Sequence, residues 1–233
     1  MKPTNGFHEL PTKVVTLSLV KAGTHLATHA VADPAGTDNF YVAEMFGQYK
    51  KFNSETNEFE LIADLEEELN LTHAEYHAST GLYDDYYNGL LSIAVPTDFE
   101  TANEYYVSYS VNPDGLSASE QSAMLNACGI DATSCNHLDT IAHCKTRDCS
   151  VRDVLFQVCN PGYWHNGGEI ILDEEEQHLY FAIGDAGGRW DHSNIHTLNP
   201  GSGLGSIMRI DLNSPLSATP LDNFYCAKSY KAT

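Results

Sequence analysis

The sequence places a histidine and an aspartate at the two ends of one predicted hairpin. His165 precedes an apolar segment at 169–172, and Asp185 follows a second one at 178–183. The residues between these segments, 173–177, are acidic and turn-forming, and a hairpin of this length returns the chain to the end where it began. We therefore expect His165 and Asp185 to lie together, beside glycines that let backbone or ligand approach closely. An imidazole held by a carboxylate is a general-base arrangement.

The elements that must position this pair are predicted as short β-strands in three groups. Turn residues separate short runs rich in β-branched and aromatic side chains, which is typical of strands. The predicted strands are 14–20, 26–32, 40–44 and 59–63 in the first group; 89–95, 105–111 and 154–158 in the second; and the hairpin with 206–212 in the third. Such groups at a period of roughly 40–60 residues indicate an all-β protein with a β-propeller fold, with a β-sandwich as the alternative. Three blades are fewer than the smallest usual ring, so we expect the chain to be part of a longer protein.

A Cys-rich, partly helical insertion is predicted at about 112–153, inside the second group. Ser117–Glu120 has the pattern of a capping box, which predicts a helix over 121–127. The chain has six cysteines, and an even, clustered set indicates disulfides in an oxidising compartment. They are Cys128, Cys135, Cys144, Cys149, Cys159 and Cys226. The alternative is a zinc site that uses Cys144 and Cys149 with His137 or His143, although their spacing forms no CxxC pair.

The charge balance limits the classes of partner. With 12 basic and 32 acidic residues the formal net charge is −20, which argues against nucleic acid and against an anionic membrane surface. The apolar stretch at 14–20 is too short to span a membrane. The first 12 residues show no signal peptide, although the cysteines indicate an extracellular or secreted protein. Either a leader is missing from this chain or the cysteines stay reduced.

Three motifs together resemble the glucose/sorbosone dehydrogenase domain family. They are His165–Glu169, Leu179–Gly188 and Leu204–Asp211. This family includes soluble aldose dehydrogenases that use pyrroloquinoline quinone (PQQ) and the hedgehog-interacting-protein-like ectodomains. The resemblance implies a six-bladed propeller of which this chain supplies about the first three blades. Residues 1–13 would be an N-terminal extension and residues 14–233 a partial propeller.

The resemblance also implies roles for individual residues. His165 matches the base that takes the proton from the anomeric hydroxyl of the sugar as hydride passes to the quinone, and Asp185 matches the residue that orients it. The positions that match cofactor contacts are Tyr87, Asn88, Trp164, His165 and Asn166. Trp164 stands where the family enzymes have an acidic residue, and Tyr87 stands where they have a glutamine. The basic residues for the carboxylates of PQQ, and the carbonyls for its calcium, are expected beyond residue 233.

Two functions from different classes remain open. One is a PQQ-dependent dehydrogenase acting on a small-molecule sugar; the other is a noncatalytic extracellular propeller that binds a protein or a glycan. His165 and Asp185 could instead cap strand ends through hydrogen bonds to backbone. Asp185, Asp191 and Asn194 are a candidate calcium set, because hard oxygen ligands suit this ion. We expect no dehydrogenase turnover from the 233-residue chain alone.

Overall fold

The computed structural model describes residues 26–71, 76–77, 82–83, 89–127, 135–162, 165–187 and 204–213. Within them the elements are mostly strands, with three short helices and a 3-10 turn at Pro113–Gly115. The strands are β1 Ala27–Ala32, β2 Phe40–Glu44, β3 Gln48–Asn53, β4 Glu58–Asp64, β5 Tyr76–His77, β6 Leu82–Tyr83, β7 Leu90–Ala94, β8 Tyr105–Val111, β9 His137–Cys144, β10 Arg152–Asn160, β11 Gly167–Asp173, β12 His178–Ile183 and β13 Ser206–Asp211. The helices are α1 Glu66–Leu69, α2 Phe99–Ala102 and α3 Ala118–Ala127.

The strands form three larger sheets in chain order, which confirms the all-β class. We call these sheets blades 1 to 3: blade 1 has the order β1-β2-β3-β4, blade 2 the order β7-β8-β9-β10 and blade 3 the order β11-β12-β13, and neighbouring strands are antiparallel in each. Strands β5 and β6 form a separate two-stranded sheet. None of the three blades closes on itself into a barrel.

The first strands of the three blades lie side by side. Thr28 on β1 donates its hydroxyl hydrogen bond to the carbonyl of Leu90 at 2.8 Å. The backbone N–H of Ile170 on β11 donates to Ser92 Oγ on β7 at 3.2 Å. Successive antiparallel sheets that meet along their first strands are typical of propeller blades.

Side-chain burial follows the position of each strand. In β12 the alternate residues Leu179, Phe181 and Ile183 are buried, which gives the strand one core face. In β8 nearly every residue is buried, because this strand lies between β7 and β9 and both of its faces meet other blades or helices. One apolar core lies between blades 1 and 2, and another lies between blades 2 and 3.

Four strands were not predicted from the sequence: β3, β5, β6 and β9. β3, with the sequence QYKKFN, has two adjacent lysines and lacks the apolar run that the prediction relied on. β9 lies inside the predicted insertion at 112–153, yet it pairs with both β8 and β10, so residues 137–144 belong to blade 2. Helix α3 begins three residues before the predicted helix, and the capping box is present: the Glu120 N–H donates to Ser117 Oγ, and the Ser117 N–H donates to the Glu120 carboxylate. The predicted strand at 14–20 and the extension at 1–13 lie outside the described residues.

Two disulfides hold β9 and β10. Cys135 is bonded to Cys159, with 5.4 Å between their Cα atoms, and Cys144 is bonded to Cys149, with 4.7 Å. The second bond overturns the zinc alternative, since its two cysteine ligands are joined to each other. Cys128 and Cys226 lie outside the part of the chain that the structure describes. Among the described residues, no helix is long and apolar enough to cross a membrane.

Candidate active site at one end of blade 3

The β11–β12 hairpin brings His165 and Asp185 together, as its length predicts. His165 directly precedes this hairpin and Asp185 follows it, and Gly167 pairs with Ile183 in the register. His165 Nδ1 lies 2.7 Å from Asp185 Oδ1. Because a carboxylate only accepts hydrogen bonds, this contact places the ring proton on Nδ1.

The backbone around the pair is held in unusual conformations. His165 has φ +59° and Ala186 has φ +65°, in the left-handed region that non-glycine residues seldom adopt. The N–H of Gly184 donates to the carbonyl of Asn166 at 2.9 Å. A Cβ atom at Gly184 would overlap the carbonyl oxygen of His165. This glycine therefore allows two backbone segments to meet, which fixes the distance between the two functional side chains.

A buried polar cluster in blade 2 anchors the segment that leads to His165. Asn160 donates through Nδ2 to the Asp139 carboxylate at 2.9 Å, and its Oδ1 accepts the N–H of Gly162 at 2.9 Å. Gly162 in turn lies against Ala186, where a Cβ atom would overlap the Ala186 carbonyl oxygen. The sequence analysis missed Asp139 and Asn160. Both lie outside the predicted strands, and only packing in three dimensions brings them together.

The electrostatics of the pair favour an ionised aspartate. Partial burial acts to raise the pKa of Asp185, but the hydrogen bonds from His165 and from the N–H of Gly187 outweigh it and lower that pKa. The His165 side chain is 54% exposed and that of Asp185 is 30% exposed. Within the described part of the chain, Nε2 of His165 has no hydrogen-bond partner. This arrangement presents an accessible imidazole nitrogen that can accept a proton.

The other predicted site residues are placed as follows. Asn166 is 4% exposed, so its side chain is buried beside the pair. Tyr87, Asn88 and Trp164 lie outside the described residues, as do Asp191 and Asn194 of the candidate calcium set. Within the described ranges, no group of three or more His, Cys, Asp or Glu side chains could hold a metal ion.

The fold and this site are those of a propeller-like all-β protein with an accessible histidine–aspartate pair. The model of the Glucose / Sorbosone dehydrogenase family matches residues 61–231, well over half of the chain. The chain belongs to this family, as the motifs predicted.

Solved structures share the fold at low sequence identity. The PQQ-bound aldose sugar dehydrogenase from Streptomyces coelicolor is 14% identical with a TM-score of 0.50, and the match covers 88% of this chain and 52% of that one. A solved glucose dehydrogenase is also 14% identical, with a TM-score of 0.51 and the same coverage of 88% and 52%. The chain thus spans about half the length of these structures. No curated protein sequence matches it.

Proposed function

We propose that this chain supplies the base of a PQQ-dependent sugar dehydrogenase, with His165 as the base and Asp185 as its positioning partner. The observation that carries the proposal is the 2.7 Å contact between His165 Nδ1 and Asp185 Oδ1, which leaves the half-exposed ring able to take a proton at Nε2. Membership of the family and the fold shared with a PQQ-bound aldose sugar dehydrogenase support this substrate class and this cofactor.

The residues at this end of blade 3 fit the proton-transfer part of that chemistry. Bound PQQ would supply the acceptor for the hydride of the anomeric carbon of the sugar. The anomeric hydroxyl is a weak acid, so its proton must leave as the hydride leaves, and Nε2 of His165 receives it. Tyr87, Asn88, Trp164 and Asn166 remain predicted cofactor contacts.

Asp185 performs two tasks in this proposal. Its contact with Nδ1 fixes the tautomer in which Nε2 carries a lone pair. Once His165 has taken the proton, the ionised carboxylate stabilises the positive ring. The lowered pKa of Asp185 keeps this carboxylate charged at neutral pH.

We also propose that the protein is located outside the cell or in another oxidising compartment. Two disulfides within blade 2 support it, because such bonds persist in oxidising compartments. Calcium is proposed as a second cofactor by resemblance alone.

The test is aldose-dependent dye reduction in a propeller completed to the length of the matched dehydrogenases and reconstituted with PQQ and calcium. We expect His165→Ala to lower the rate by at least about a hundredfold, which is the usual contribution of a general base. His178→Ala removes an imidazole from the opposite end of the same blade and should leave the rate unchanged. A propeller that binds PQQ but oxidises no aldose, or one whose rate survives His165→Ala, would refute the base assignment and favour the noncatalytic binding propeller.

A further inference from the structure

A cavity lies between blades 2 and 3, at the end opposite to His165 and Asp185. Its volume is about 370 Å³. Its walls come from the residues after β7, the start of β8, the end of β9 and the end of β11. Strand β11 separates the two sites by roughly 20 Å, at about 3.3 Å per residue. The cavity is therefore independent of the proposed catalytic pair.

Tyr106 forms one wall of this cavity and contributes a hydroxyl group to it. The residue is 7% exposed, and its ring stacks on that of His143 with 4.4 Å between the centroids. Among the residues that the structure describes, none is a hydrogen-bond partner of the Tyr106 hydroxyl. Its oxygen is accessible from the cavity, so it is available to hydrogen-bond a polar group there.

Three carboxylates surround that hydroxyl. Burial raises the pKa of Tyr106 to about 12, and the negative charges of Glu104, Glu174 and Asp98 add to the increase. All three acidic residues line the cavity. The tyrosine therefore stays neutral, and its oxygen can accept a hydrogen bond within a negative field.

Contacts within the protein hold two of these carboxylates in place. Glu174 accepts hydrogen bonds from the N–H and the hydroxyl of Thr97, at 2.6 and 2.7 Å, across the boundary between the blades. Glu104 Oε2 lies 2.9 Å from His143 Nε2 and 3.8 Å from Lys145 Nζ. The positions of the carboxylates are thus set before any ligand arrives.

The balance of charge in the cavity is negative. Burial, together with the nearby Lys145, lowers the pKa of His143, so this ring is neutral at neutral pH. Lys145, 3.8 Å from Glu104, then offsets part of the negative charge of the carboxylates. The described side chains provide no group of three or more metal-ligating residues, which disfavours a metal ion here. Pro96, Leu172 and Leu212 add an apolar lining.

We propose that this cavity binds a small aliphatic amine in its protonated form. The ammonium group donates hydrogen bonds to the Tyr106 hydroxyl and to Glu104, and the methylene groups lie against Pro96, Leu172 and Leu212. Asp98 and Glu174 supply the remaining negative field. The ligand carries a positive charge because a neutral one would leave this field uncompensated.

The test is calorimetric titration of the protein with 1,4-diaminobutane and, as the uncharged isostere, 1,4-butanediol. We expect saturable binding of one diamine per chain and no binding of the diol. Tyr106→Phe keeps the ring that stacks on His143 and removes only the hydroxyl. It should weaken binding by roughly tenfold, as should Glu104→Gln, since each loses a hydrogen bond to a charged group.

A matched control separates a site from general attraction to an acidic protein. Glu175 is exposed and does not line the cavity, and Glu175→Gln removes the same charge as Glu104→Gln one residue away from Glu174. This variant should bind the diamine with unchanged affinity, and near-ultraviolet circular dichroism should show the native fold in all variants. Absent binding in the wild type, equal binding of the diol, or equal weakening by all three substitutions would each overturn the proposal.

Discussion

One hydrogen bond, between His165 Nδ1 and Asp185 Oδ1, links the two side chains, and the proposed role of each residue depends on it. The aspartate was predicted to lie beside the histidine because a hairpin returns the chain to its starting end, and the 2.7 Å contact agrees. The left-handed backbone of His165 could not be predicted, because nothing in its residue type requires it. The buried Asp139–Asn160 cluster was missed for a similar reason, since only three-dimensional packing brings these residues together.

The lowered pKa of Asp185 predicts how its contribution to stability depends on pH. A carboxylate whose pKa is lowered by folding stabilises the folded state above its unfolded pKa, and this stabilisation is lost as the pH falls through the folded pKa. We expect Asp185→Asn to be less stable than the wild type at pH 7, and the difference to shrink as the pH falls from the ordinary aspartate pKa near 3.9 through the lower pKa of the folded state. Urea unfolding of both proteins across this range measures the difference. A difference that stays constant with pH would contradict the assignment.

Strands that contain a run of apolar residues were predicted from the sequence, whereas strands that lack such a run were missed. The bounds of β2 and β8 agree with the prediction because their runs of aromatic and β-branched residues end at turns. β9 carries two histidines, an aspartate and a cysteine, yet most of it is buried between β8 and β10. Its polar residues are satisfied by tertiary contacts that a local pattern does not show.

Gly184 lies so close to the backbone of His165 that adding one methyl group there should greatly lower the stability of the fold. Gly184→Ala would force a Cβ atom onto the His165 carbonyl, so the strand ends must separate. We expect a loss of at least about 3 kcal/mol in the free energy of unfolding. Gly36→Ala is the comparison: its Cβ atom would meet nothing within 4 Å, and its cost comes from its left-handed backbone at φ +76°. Its cost should be only about 1 kcal/mol, and equal losses would contradict the packing argument.

The two disulfides should contribute unequally to the stability of blade 2. Cys135–Cys159 closes a loop with a sequence separation of 24, and Cys144–Cys149 one with a separation of 5. The entropy of loop closure in the unfolded chain predicts a loss of about 3 kcal/mol for the double alanine variant of the first pair and about 2 kcal/mol for the second. Chemical unfolding compares the two variants, and the reverse order would be inconsistent with this account.

At the scale of the whole molecule, the three blades contact one another along their first strands, β1, β7 and β11. Thr28 binds the backbone of Leu90, and His29 on β1 reaches Glu169 on β11, with 3.0 Å between His29 Nε2 and Glu169 Oε1. Blade 3 presents β13 as its outer strand, on which Ile207 is 82% exposed. The family and the propeller-like arrangement could be predicted from motifs, whereas the contacts between blades could not, since they join residues as far as 140 positions apart.

The length of the chain relative to the solved dehydrogenases predicts that it is inactive by itself. This chain spans about half of the matched structures, and the resemblance predicts that the groups for the carboxylates of PQQ and for its calcium lie outside residues 1–233. We expect residues 1–233 with PQQ and calcium to show no aldose-dependent dye reduction. Turnover that disappears in His165→Ala would show that the chain is sufficient.

The central claim is that Asp185 holds His165 in the tautomer that presents Nε2 as the proton acceptor. Nitrogen-15 NMR of the His165 ring in the chain itself measures this most directly. At a pH where the ring is neutral, we predict a protonated Nδ1 and an unprotonated Nε2, with this preference lost in Asp185→Asn. A proton on Nε2 in the wild type, or an unchanged ring spectrum in Asp185→Asn, would contradict the account.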